Sequence, residues 1–236
     1  MLSRIAAGTA VVFAAWVLLL CYPQPLFSSV VRHGHITLHS DRPLPAVAAT
    51  RVLVLAEANL AKSPLFTGDR SYDVYICNAR WRQVIFFNKA YGVGGVSLYP
   101  LTTNVFLRDS RVEDNRLISP LGTPVAADRP LDYFIAHEIT HVLTGTALGP
   151  VRSLFLPQWV REGYADHIGK GSVIDLDVAR AAFLADAPEM DYQRSGLYRR
   201  FHLLVAWSLQ HDGFTVQRLL HDPPLQSAVE SAVKSR

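Results

Sequence analysis

Cysteine and charge are both scarce in this chain of 236 residues, which carries two cysteines and 18% charged side chains. Cys21 and Cys77 are too few for a disulfide scaffold, and Cys21 sits beside a hydrophobic segment, where pairing with Cys77 is not expected. A dense basic block is also missing. Lys+Arg number 23 against 20 Asp+Glu, a net charge of +3, and the basic residues do not interleave with aromatics along a stripe. That excludes the electrostatic footprint of a nucleic-acid binder, so no nucleic-acid partner is expected. No internal repeat and no low-complexity tract occurs. With 14 glycines, 14 prolines and 50% apolar residues, the composition rules out a disordered tail, a collagen-like chain and a coiled coil. The glycine cluster Gly92, Gly94, Gly95 lacks the Lys-Ser/Thr of a phosphate-binding loop and is read as a bulged turn entering a strand. Nothing points to a nucleotide or haem. One ordinary domain built around one core accounts for the length.

Charge is also absent from Ile5 to Val31, and Ile5–Tyr22 is almost purely apolar. As a helix, those residues would rise roughly 27 Å, close to the hydrocarbon thickness of a bilayer. No small-x-small cleavage site follows, which argues against a removed signal peptide. Residues 1–22 are therefore expected to form a single membrane anchor, giving a single-pass protein with its catalytic part outside the cytoplasm. Residues 23–45 hold Pro23, Pro25, Pro43 and Pro45 and read as a linker, with one short strand through Ile36 and Leu38. His33, His35 and His39 in this segment are read as incidental rather than as metal ligands.

Residues 46–236 are expected to be the folded domain. Apolar residues at Val52, Leu55, Ala56 and Leu60 have helical spacing, so residues 46–60 read as a helix, and Tyr72–Cys77 and Thr103–Arg108 as strands. Residues 109–129 look like loop. After Pro130 the pattern turns helical: one helix to about Thr144 with Gly145 as terminator, a second from Pro157 to about Ile168, then 177–187, 192–210 and 214–220. The fold class is thus α+β: a small mixed sheet in the N-terminal part and a mainly helical C-terminal part.

The first of these helices contains His137-Glu138-Ile139-Thr140-His141. Residues i and i+4 of a helix differ by about 40° of rotation, so both imidazoles project from one face and can share one ion. Glu138 lies about 60° from His141 around the axis, placed to act as a base on a water at the metal. Hydrolytic zinc sites take three protein ligands. Glu162, in Trp159-Val160-Arg161-Glu162-Gly163-Tyr164-Ala165-Asp166, supplies the third. Asp166 follows at i+4, where a carboxylate can accept the second ring N–H of a ligating histidine.

HEITH followed by WVREGYAD resembles the gluzincin clan of zinc metallopeptidases, and more closely the small peptidase MA-like proteins with a W-x-x-E-G-x-A helix. The match covers His137 to Asp166. It implies a zincin-like fold, one Zn2+ held by His137, His141 and Glu162, Glu138 as base and proton shuttle, and Asp166 orienting His137. It also implies a peptide or protein substrate held along an edge strand, placed at Asn104, Val105, Phe106 and Leu107. A downstream Tyr or His stabilises the oxyanion: Tyr198 is the choice, with His202 and Tyr192 as competitors. The metzincin pattern is contradicted by Thr144 and Ala147. Hydrolysis of a different bond, or a catalytically silent zinc scaffold, are the alternatives. Side-chain specificity and oligomeric state are not legible.

Overall fold

A computed structural model describes residues 2–235, the side chains of residues 2–7 and 89 apart. Met1 and the side chains of residues 2–7, part of the expected anchor, and Arg236 lie outside the described residues. The chain divides into two compact units, residues 1–57 with 68–138 and residues 58–67 with 139–236.

The first unit is built on a five-stranded mixed sheet of β1 (Ser29–His33), β2 (Ile36–Ser40), β3 (Tyr72–Ile76), β4 (Gly95–Ser97) and β5 (Val105–Leu107), in the order β1-β2-β3-β5-β4. β2, β3 and β5 run parallel, and the two outer strands are antiparallel to their neighbours. Alternation along the strands sorts the side chains. Tyr75, Cys77 and Phe106 join Phe27, Phe86 and Phe87 in an aromatic cluster that also takes in Leu20. Val74, Ile76, Val105 and Leu107 are fully buried as well.

Helix α1 (Leu2–Cys21) corrects the membrane reading: among the described residues no helix is long and apolar enough to cross a membrane. The anchor, and the single-pass location built on it, therefore fall. The physical reason is that its last turns belong to the core of this unit. Leu20 is fully buried, Trp16 packs against the aromatic cluster, and Trp16 Nε1 donates to the Ile85 carbonyl at 2.9 Å. Asn104 Nδ2 donates to the carbonyls of Leu20 at 2.7 Å and Cys21 at 3.3 Å, satisfying groups that a helix end leaves open. The linker reading is also corrected, because β1 and β2 pair in register from Ser29↔Ser40 to His33↔Ile36 and form two of the five strands. Gly34, with φ +50°, makes their tight turn.

Helices α2 (Ala46–Leu60) and α3 (Arg80–Phe87) follow their strands, and β6 (Ser110–Arg111) pairs with β7 (Arg116–Leu117) in the stretch expected to be loop. Helix α4 (Leu131–Leu148) then starts under a cap from Asn115, whose Oδ1 accepts from the Asp132 amide at 3.1 Å. It runs past Gly145; the left-handed residue is Gly149, with φ +79°.

The second unit is helical: α5 (Pro150–Leu154), α6 (Gln158–Gly169), α7 (Leu176–Leu184), α8 (Tyr192–Ser195), α9 (Arg199–Gln210), α10 (Val216–His221) and α11 (Gln226–Ser235). The expected single helix over 192–210 is broken by Gly196, with φ +66°, and α11 was not foreseen. α6 and α9 pack at close range: a Cβ on Gly163 would stand 2.4 Å from the Phe201 carbonyl oxygen. Tyr164 is anchored on Ser63 by a 2.6 Å hydroxyl bond, and Asn59 Nδ2 donates to the Gly169 carbonyl at 3.0 Å.

Candidate metal centre

α4 carries His137 and His141 one turn apart on one face, as a helical i, i+4 pair must. α6 carries Glu162, a residue rarely buried without a partner. One ligand atom from each of the three lies within 4.8 Å of the others, with His137 and Glu162 buried and His141 half-buried. His141 Nε2 stands 3.5 Å from Glu162 Oε2. Donors held at 2.0–2.1 Å by a tetrahedral ion stand ~3.4 Å apart, so this spacing fits a small divalent metal. Two nitrogens and one oxygen also form the donor set such an ion takes in hydrolytic sites. The second oxygen of Glu162, Oε1, is held by Arg161 Nε at 3.0 Å, which leaves Oε2 turned toward His141. Together these residues could hold a metal.

Two residues around this centre were not foreseen. Tyr133, one turn before His137, places its hydroxyl 3.3 Å from His137 Nδ1. A tyrosine at that spacing in an apolar helix reads as core, so only the i−4 relation could have flagged it. Gly95 is the other. A Cβ there would meet Glu138 Cγ at 2.7 Å and Oε1 at 2.8 Å, and one on Gly94 would meet Phe134 Cε1 at 2.6 Å. Phe134 and Glu138 are themselves an i, i+4 pair. The β4 main chain thus crosses α4 at the residues where it has no side chains to obstruct it.

That crossing bears on the expected substrate strand. β5 lies between β3 and β4, so the main chain of Val105 and Phe106 is engaged on both sides, and all three β5 residues are buried. Asn104 is occupied with the end of α1. The edge next to α4 is β4. The Arg108 amide donates to the Gly94 carbonyl at 3.0 Å, which makes residues 94 and 108 a bonded pair. Because bonding alternates along an antiparallel ladder, Val96 then bonds to Phe106, while Gly95 and Ser97 direct their main-chain groups away from β5, Gly95 being buried there and Ser97 half-buried.

Asp166, expected to orient His137, receives Lys170 Nζ on Oδ2 at 2.8 Å, and the same oxygen lies 3.7 Å from His202 Nδ1. His202 Nε2 and His167 Nδ1 are 3.2 Å apart. Burial lowers the His202 pKa from its ordinary value to about 3 and that of His167 to about 4; the Asp166 charge opposes both shifts without cancelling them. Both imidazoles are therefore neutral at pH 7. Tyr198 stands at the residue before the first turn of α9, with no capping bond from its side chain, and stacks on Tyr192, with ring centroids 5.0 Å apart. The two tyrosines weighed for the oxyanion thus form one stacked pair, and His202 is enclosed in the imidazole pair.

No protein-family model matches this chain, and no curated protein matches it in sequence.

Proposed function

We propose that the chain is a metal-dependent hydrolase, and specifically a zinc peptidase of gluzincin type. The observation that carries this reading is the meeting of His137, His141 and Glu162 at ligand spacing, with Glu138 next to the first of them on the same helix. A zinc ion held by these three supplies Lewis acidity toward a water and a carbonyl oxygen. The protein's own part is proton handling and alignment. Glu138 takes the proton from the attacking water and returns it to the leaving amine, a step worth roughly 10²–10⁴ in rate. Its burial beneath Gly95 restricts where the carboxylate can turn.

A peptide substrate is supported by the place of β4 as the last strand of the sheet. Half-buried Ser97 is the β4 residue proposed to pair with an extended chain, in the manner of strand addition to a sheet edge. Tyr198 is proposed to hold the oxyanion. The test is cleavage of an unstructured protein by the full chain, with and without a metal chelator, beside Glu138→Gln. Chelator-sensitive cleavage that Glu138→Gln abolishes while its zinc is retained is the expected result. An active Glu138→Gln protein would defeat the assignment of the base.

A further inference from the structure

A histidine that binds a metal through one ring nitrogen carries a proton on the other, and that proton needs an acceptor. For His137 the structure offers a phenol. Tyr133 Oη lies 3.3 Å from His137 Nδ1, both residues being almost wholly buried, at 4% and 5% exposure. Helical side chains lean toward the N-terminus, so the His137 ring falls naturally over the turn that Tyr133 occupies. The rings are tilted at 47° with centroids 5.5 Å apart, so they do not stack, and the hydroxyl reaches the ring nitrogen. The Tyr133 ring is itself fixed by an edge contact on Phe134, whose ring lies under Gly94.

We infer that Tyr133 is a positioning residue of the metal centre: its phenol oxygen accepts the Nδ1 proton of His137, which fixes the tautomer and presents Nε2 to the ion. This rests on the metal-centre reading above and adds a chemical feature to it. That feature is a fixed tautomer: with its Nδ1 proton on the phenol oxygen, His137 has Nε2 left for the ion.

The experiment is zinc affinity by chelator competition on the full chain, wild type against Tyr133→Phe, with the visible spectrum of the cobalt(II)-loaded proteins recorded in parallel. Tyr133→Phe keeps the ring and its packing and removes only the acceptor. Zinc binding should weaken roughly 10- to 100-fold, the usual cost of losing such a partner, and the cobalt bands should shift. Tyr164→Phe, which deletes a buried hydroxyl bonded to Ser63, should leave affinity unchanged. If wild type binds zinc and Tyr133→Phe binds it equally with an identical cobalt spectrum, the role of Tyr133 is overturned and the metal centre stands. If wild type binds no zinc, both fall. Should Tyr133→Phe fail to fold, nitrogen NMR of the zinc-loaded wild type decides. A protonated Nδ1 on His137 supports the assignment, and ligation through Nδ1 overturns it.

Discussion

The residues of the centre divide by what a side chain can reveal of itself in a linear sequence. His137, Glu138 and His141 are legible because helical periodicity alone puts two imidazoles on one face with a carboxylate beside them. Glu162 is legible because two ligands require a third. Arg161 and Tyr133 are not, since their roles depend on which way a neighbouring ring or carboxylate turns. The sharpest residue-level expectation concerns Glu138. Exchanging its carboxylate for an amide should leave zinc content at the wild-type level and lower kcat by about 10²–10⁴, as general-base loss does. His137→Ala should lose the metal itself, which elemental analysis separates from the first effect.

At the scale of elements, the close approaches of glycine determine what lies beside what. β4 rests on α4 only because Gly94 and Gly95 lack side chains, while Gly92, two residues earlier, has open space around the position of a Cβ. Gly95→Ala should displace the flexible Glu138 carboxylate, lowering kcat more than it changes KM with zinc retained; Gly92→Ala should leave both unchanged. Steady-state kinetics on the pair checks this. Gly163→Ala is a different case. Its new methyl meets the backbone carbonyl of Phe201, which cannot swing aside, so the α6–α9 packing should lose about 1–3 kcal/mol in denaturant titration.

Elements are also where the linear reading went astray, for physical reasons. The strand expected after the glycine cluster is there, but a three-residue strand that begins with glycine has no alternation to show that it is the outer one, so the edge was assigned to β5, whose apolar Val105-Phe106-Leu107 marks an interior strand. Prolines at 23, 25, 43 and 45 bracket the β1–β2 hairpin, and punctuation at both ends was mistaken for a linker. The apolar run at the N-terminus was read as an anchor because composition alone does not disclose what its end packs against. Its last turns bury Leu20, and their carbonyls are capped by Asn104. By contrast, α2, β3 and α6 were placed within a residue or two, because period and flanking breakers agreed there.

For the molecule as a whole, the buried His167–His202 pair sets a pH dependence. Both pKa values are lowered in the folded state, to about 4 and about 3, so below the ordinary histidine value of 6.5 the unfolded chain takes up protons that the folded chain does not. Stability contributed by the neutral pair is complete above pH 6.5 and declines as pH falls toward 4. The facing charges are Asp166 and Lys170, themselves paired at 2.8 Å. Thermal melts at intervals from pH 7 to pH 4.5 should show a fall in Tm that is shallower in His202→Gln, measured relative to each protein at pH 7.

The central claim is that His137, His141 and Glu162 form one metal centre, and zinc content tests it most directly. Elemental analysis of the full chain, wild type beside Glu162→Ala, should give one zinc per folded wild-type chain and a large loss in the variant. Zinc should also raise the Tm of wild type alone, because an ion bound only by the folded state stabilises it by mass action. A folded wild type that takes up no zinc and shows no shift in Tm would contradict the account.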